Sequence, residues 1–321
     1  MKTRDYLVAQ GEFSLKSIDT RDKAGLKKKE AKGKLMPANI ERLAELQERL
    51  YAENKWAVLV VIQAMDTAGK DGLIKHVMTG LNPQGTQVTA FKVPTSEELD
   101  HDYLWRIHKG IPRRGNIGIF NRSHYEEVAV SRVHDLVATQ QIPQELVTQD
   151  IWEQRYRQIR NYEEYLYENG IKVVKFFLHI SADEQRERLM DRIWQPDKRW
   201  KFSAGDIEER QYWDQYQQAY ELMLQNTSTV NSPWYVIPSD RKWFSRYLVS
   251  EILKETLEEL DPQFPAQSHT DEELMLACRQ LLLEDETAPP YVPEHIRDAG
   301  DEAEAAYLEK YPRGGLDELN Q

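Results

Sequence analysis

Asp66, Gly69, Lys70 and Gly72 stand together in MDTAGKDG, directly behind the apolar run VLVVI that begins at Val58. Glycines let a turn approach an anion closely, the N–H groups that open a following helix bind it, and a lysine adds a mobile positive charge. That combination suits the binding and transfer of a phosphoryl group. The usual phosphate-loop pattern, G-x-x-x-x-G-K-[ST], is broken at both ends. Ala64 takes the first Gly position, and Asp71 replaces the hydroxyl that ordinarily holds Mg²⁺. Taken alone, AGK after a strand is equally a tight βα turn with a solvated lysine. As a phosphate loop, Ala64, Met65, Thr67, Ala68, Gly69, Asp71 and Gly72 form the cradle and Lys70 the cation. Asp66 is then the carboxylate for Mg²⁺ or for the acceptor oxygen.

Further along, Asn121 ends the strand-like GNIGIFN, where an Asp would help to hold a metal, so a strand-end carboxylate is missing. Glu126 or Glu127 could restore it; the bland alternative is complementation of a helix N-terminus. Between Ser181 and Tyr216, Arg188 and Arg192 are one helical turn apart, followed by Lys198, Arg199 and Lys201 among Trp194, Trp200 and Phe202. A helical hairpin over about 182–216, facing the loop, would close its basic side over phosphates as a lid. The alternative is a surface hairpin neutralised by Glu184, Glu187 and Asp191.

The elements that must position these groups alternate along the chain. Ile40, Leu43, Leu46 and Leu50 recur at helical spacing, so an amphipathic helix over Pro37 to Tyr51 precedes the loop strand. Strands are expected at Gln87 to Val93, Gly115 to Asn121, Ile171 to Ile180 and Trp234 to Pro238, and helices from Ser96, from about Tyr125 and over Pro143 to Glu168. Such alternation predicts a mostly parallel five-stranded sheet with helices on both faces, an α/β fold whose ligands bind beyond the carboxyl ends of the strands. The expected organisation is an arm and helix at 1–55, a core at 56–262 containing the lid, and an extension at 263–321.

Composition narrows the function classes. No run approaches the length of a membrane span, and the N-terminus MKTRDYLVAQ lacks an apolar leader core, so a soluble cytoplasmic protein is expected. Cys278 is the only cysteine, which excludes an intramolecular disulfide or a thiolate metal cluster. The net charge is −12, but the segment from Phe264 onward holds 14 Asp/Glu against 4 Lys/Arg. The body is therefore nearly neutral and can carry a local basic groove, while the tail is an acidic appendage with at most two short helices, Asp271 to Leu283 and Asp301 to Lys310.

Six stretches in order, LVVIQAMDTAGKDG, LNPQG, FKVPTSEELDHDYLWRIHKGIP, GIFNRSHYEEV, DRIWQPDKRWKFS and TSTVNSPWYVIPSDRKWFSR, resemble the polyphosphate kinase 2 family from about Asp22 to Leu260. The resemblance implies a thymidylate-kinase-like P-loop fold, a three-layer sandwich with a helical lid, and transfer between inorganic polyphosphate and nucleotides with Mg²⁺, Mn²⁺ being a substitute. FNRSHYEE is similar to the subgroup that accepts nucleoside monophosphates and diphosphates alike, so AMP to ADP to ATP is implied, with GMP and GDP as further acceptors. By position, Asp66, Lys70, Arg122 and one of Glu126 or Glu127 correspond to the catalytic group, and Arg188, Arg192, Lys198 and Lys201 to the polyphosphate lid. Self-association is implied as well; nucleic acid and membrane are not expected partners. An ATP-dependent nucleoside monophosphate kinase on the same fold and a non-catalytic polyphosphate or nucleotide sensor are the competing readings.

Overall fold

The five strands lie side by side as β2-β3-β1-β4-β5, all parallel. In the computed structural model these are β1 (Ala57–Ala64), β2 (Thr86–Ala90), β3 (Ile117–Asn121), β4 (Ile171–His179) and β5 (Trp234–Pro238). The structure describes residues 2–9, 13–283 and 289–312. Every residue of β1 and of β4 is buried, because both strands are covered on both faces; β1 is apolar but for Gln63, while β4 also buries Lys172, Lys175 and His179. The longer helices are α1 (Met36–Glu53), α2 (Lys70–Val77), α3 (Ile151–Glu168), α4 (Ala182–Trp194), α5 (Trp213–Thr227) and α6 (Lys242–Leu260). α6 packs on α1 and α2, and α5 on α3, giving the two helical layers that sandwich the sheet.

The topology decides where chemistry can sit. β1 is central, between β3 and β4, and Ile62 pairs with Asn121 across the β1–β3 ladder. The turns that leave β1 and β3 therefore emerge side by side, which brings Asp66 next to Arg122. The β5 edge is covered by the N-terminal arm, through a bridge between Leu7 and Tyr235 and the Val8 amide on the Trp234 carbonyl at 2.9 Å. Tyr6, Val8 and Leu15 are buried, so the arm belongs to the core rather than being a solvated tail.

Several boundaries differ from the sequence expectation. The helix expected from Pro143 begins at Ile151, since Gln144–Leu146 forms one 3-10 turn and the Thr148 hydroxyl accepts from the Asp150 amide in the loop before it. The helix expected from Tyr125 is a 3-10 turn, His124–Glu127, followed by the short helix Val130–Val133. The second arm of the lid is likewise broken into Pro196–Lys201, Gly205–Glu209 and Arg210–Tyr212 before α5 starts.

The chain divides into two units, Met1–Phe264 and Pro265–Gln321. Within the second, α7 (His269–Leu283) and α8 (Asp301–Lys310) fall where helices were expected, with a further short helix at Glu294–Asp298. Ser268 and Asp271 exchange hydrogen bonds at the start of α7, as a capping residue and its partner three positions on can. The acidic residues Glu284, Asp285 and Glu286 lie outside the described residues.

Candidate active site

β1 ends in the turn from Met65 to Gly69, and Gly69 enters α2 at φ 110°, a conformation that L side chains rarely adopt. Ala64 is the last strand residue, extended and buried, so its methyl group costs no backbone strain there. The strain sits instead at Thr67 (φ 64°) and Arg122 (φ 65°), one in each of the two adjacent turns. Non-glycine residues held in this region cluster where function over-determines the backbone.

Arg122 is the centre of the site. Its guanidinium donates to Asp66 Oδ1 at 2.6 Å and to Glu126 Oε2 at 3.1 Å, and its amide donates to the Ile62 carbonyl at 3.2 Å. Burial works against its charge, but Glu126 and Asp66 outweigh burial and hold it firmly protonated. The turn that carries it is pinned from below. Ser123 Oγ accepts from Gln63 Nε2 and from the Tyr125 amide, and Tyr125 donates to Glu163, which also receives the fully buried Lys175 ammonium. A buried ion pair is weak evidence for stability, and here it seats the segment that presents Arg122 and Glu126.

Lys70 does not face solvent as an isolated cation would. Its ammonium folds back under the loop and donates to the carbonyls of Ala64 at 3.1 Å and Met65 at 3.4 Å. Burial, and next the Arg122 charge, push its pKa below the ordinary lysine value, against the pull of Asp66, Glu126 and Asp71. Such a lysine gains most when a further anion arrives.

Asp71 in the loop and Asn121 at the strand end, each a departure from the usual pattern of its element, prove to be one contact. Asn121 Nδ2 donates to Asp71 Oδ1 at 2.9 Å, and the other Asp71 oxygen accepts from Lys201 of the lid at 3.0 Å. Burial would raise the Asp71 pKa, yet Lys201 and Asn121 bring it below the carboxylate norm. Lid, loop helix and the end of β3 are thus tied through one carboxylate.

The glutamate pair separates. In a 3-10 turn consecutive side chains diverge, and Glu127 points away from Arg122 to accept from Arg155 at 2.9 Å, from Ser131 at 3.1 Å and from Gln140 at 2.5 Å. Glu126 alone of the two is bonded to Arg122.

The lid cations also divide. Arg192, Lys198 and Lys201 line open clefts, paired with Asp206, Asp191 and Asp71. Arg188 differs from the expectation of a lid-face cation: it is buried and donates to the carbonyls of Thr67, Ala68, Ser239 and Asp240 as well as to Glu184. It buckles the loop to the end of β5. Arg188→Ala should therefore lower the melting temperature and turnover together, because charged donors to four carbonyls are lost, each worth up to about 1.5–3 kcal/mol. The double variant Arg192→Ala/Lys201→Ala should instead keep the melting temperature and flatten the salt dependence of donor binding. Equal salt slopes in the wild type and the double variant would place the donor elsewhere.

Three clefts meet at this floor. One of about 310 Å³ is lined by Asp66, Lys70, Lys92, Arg122, Arg192 and Lys201. Another, about 220 Å³, lies between α4 and the first turns of α6 and holds Arg188, Lys198, Lys242 and Arg246. Burial and then the neighbouring Arg188 lower the pKa values of both Lys242 and Arg246, the mark of crowded like charge that an anion would relieve. The third, about 510 Å³, is lined by Asp66, Arg122 and Glu126 together with Phe91, Tyr103, Leu136 and Tyr216. Lys92, Lys242, Arg246 and Asp206 were not singled out from sequence; Lys242 and Arg246, four apart at a helix start, carried a readable signal.

The family model for polyphosphate kinase 2 matches residues 25–265. An ADP-polyphosphate phosphotransferase of Rhodopseudomonas palustris is 48% identical over 88% of this chain and 99% of its own length. An AMP/ADP-polyphosphate phosphotransferase of Meiothermus ruber is 48% identical over 83% of this chain and 96% of its own. The crystal structure of polyphosphate kinase 2 from Arthrobacter aurescens superposes with a TM-score of 0.78 at 40% identity, covering 86% of this chain and 97% of that one. With the loop, the strained arginine and the basic lid in place, this chain belongs to the polyphosphate kinase 2 family.

Proposed function

We propose that the chain transfers the terminal phosphoryl group of inorganic polyphosphate to nucleoside mono- and diphosphates, AMP to ADP and ADP to ATP, with GMP and GDP as further acceptors. One observation carries this reading: Asp66 and Arg122 line two clefts of opposite character at once. The basic side fits a flexible polyanion, and the side with Tyr103, Leu136 and Tyr216 fits an acceptor that bears a base. The two substrates would meet at Arg122. The relatives' names, AMP/ADP-polyphosphate phosphotransferase among them, support the choice of substrates.

In this reading Lys70 and the loop amides neutralise the transferring group, Arg122 stabilises the charge that spreads over it, and Asp66 aligns the acceptor oxygen. Arg192, Lys198 and Lys201, with Lys242 and Arg246 beyond them, carry the donor chain, while Arg188 adds field and holds the loop. The site's hard oxygen donors fit a divalent metal, Mg²⁺ or Mn²⁺. Asp66 and Glu126 flank one guanidinium, and among the described residues no three acidic, His or Cys side chains form a metal site by themselves. An ion that brings its remaining ligands as phosphates and water suits such a site. When bound, it would neutralise charge on the transferring oxygens.

A matrix of donors (polyphosphate, ATP) against acceptors (AMP, ADP, GMP, GDP), read by chromatography, tests the proposal. Successive ADP and ATP formation from AMP with polyphosphate is expected. Turnover with ATP alone would make the chain a nucleoside monophosphate kinase, and binding without turnover a sensor. Glu126→Gln should lower kcat by roughly a hundredfold on both acceptors, a typical share for a positioned carboxylate. Glu127→Gln should act mainly through KM and shift the balance between AMP and ADP, because Glu127 itself lines the acceptor cleft and is held there by Arg155 and Gln140. Full rates in both variants would reduce the pair to complementing the turn. A cytoplasmic location and self-association complete the proposal. Among the described residues no helix is long and apolar enough to cross a membrane, and light scattering would give the oligomeric state.

A further inference from the structure

Arg192 reaches the cleft that holds Lys70 and Arg122, yet its guanidinium is occupied. It donates to Asp206 at 2.5 Å and to the Lys201 carbonyl at 3.2 Å. Asp206 lies in the short helix Gly205–Glu209, on the opposite arm of the lid, and both side chains are largely covered, with 20% and 17% exposed. This acid is not at ease there. Burial first, and then the negative charge of Asp66, raise its pKa, while Arg192, Arg122 and Lys70 offset them. One arginine holds this carboxylate, and that arginine lines the basic cleft.

We propose that Asp206 is an internal counter-anion that occupies Arg192 until a polyphosphate segment displaces it, which makes it a specificity-determining residue of the donor site. The inference rests on the donor reading given above. A lone small anion that displaced Asp206 would exchange one ion pair for another and leave a largely covered carboxylate unpaired. A chain that also engages Lys70, Lys198 and Lys201 gains several contacts in the same event, so the exchange favours it. The pair thus screens the donor cations from orthophosphate and chloride at a smaller cost to long polyphosphate.

The test is Asp206→Asn, which keeps size and hydrogen bonding and removes the charge. Steady-state kinetics would give KM for long-chain polyphosphate and inhibition constants for orthophosphate and tripolyphosphate, beside a melting temperature. KM for the long chain should fall by roughly three- to fivefold, the scale of one partly exposed ion pair. Inhibition by orthophosphate and tripolyphosphate should strengthen by more than that. In an Arg192→Ala background the same substitution should change neither, which keeps the test meaningful if either single variant loses stability. An unchanged or raised KM with unchanged inhibition overturns the inference. So does a collapse of kcat at constant KM, which would make Asp206 part of the catalytic group. A wild type that used ATP and not polyphosphate would sink the donor reading itself, whereas a polyphosphate-using wild type matched by Asp206→Asn would sink only this inference.

Discussion

Lys70→Ala should slow polyphosphate-driven formation of ATP from ADP by more than a hundredfold, with the fold retained. The ammonium lies beneath the loop on two neutral carbonyls, those of Ala64 and Met65, and among the described residues no carboxylate is bonded to it. Its charge is therefore held for a ligand rather than spent on an ion pair. Removing a preorganised cation of this kind from a phosphoryl-transfer site costs about 3 kcal/mol or more of transition-state stabilisation. At about 1.4 kcal/mol per factor of ten, that exceeds two orders of magnitude. The stability cost is smaller, because the two carbonyls lose one shared donor at a net worth of about 1 kcal/mol each. Initial rates with saturating polyphosphate and ADP, next to a thermal melt, separate the two effects. A variant that kept more than a tenth of wild-type turnover would refute the assignment of this turn as the phosphate loop.

What could be read from sequence follows from the range of the interactions involved. β1 and β4 were legible because strands covered on both faces are dominated by apolar and β-branched residues, and the turn after β1 was legible because its glycines and lysine are neighbours in the chain. The fate of each charge was not. Arg188 and Arg192 share a helix face by spacing, but whether a guanidinium meets carbonyls or an open cleft depends on β5 and the loop, which are distant in sequence. Glu126 and Glu127 looked interchangeable until the 3-10 turn sent one to Arg122 and the other to Arg155. Asn121 and Asp71 looked like two separate defects, yet across the fold they are donor and acceptor of a single hydrogen bond. Sequence spacing sets which side chains share a face; tertiary packing sets what they face.

That distinction matters most for Asp66, whose substitution by Asn should be as damaging as the loss of Lys70. Asp66 Oδ1 accepts from Arg122 at 2.6 Å, so an amide oxygen could keep the hydrogen bond while the charge disappears. The loop backbone is held independently, since Gln185 donates to the Asp66 carbonyl at 3.2 Å and Arg188 donates to the carbonyls of Thr67 and Ala68. Any loss of rate then reports the charge and not a collapsed turn. In the proposed function two jobs depend on that charge: aligning the acceptor oxygen, and helping Glu126 to hold a divalent ion. Losing either is expected to lower kcat by roughly a hundred- to a thousandfold. The two jobs respond differently to metal. If Asp66 only helps to hold the ion, raising Mg²⁺ should restore the rate fully. If it also aligns the acceptor, rescue should plateau well below the wild type, and this partial rescue is the expected outcome. Titrating Mg²⁺ against kcat in Asp66→Asn and Glu126→Gln side by side decides the matter. Near-normal turnover of Asp66→Asn at ordinary Mg²⁺ would move the metal to Glu126 and leave Asp66 as the partner that holds Arg122 in its strained conformation.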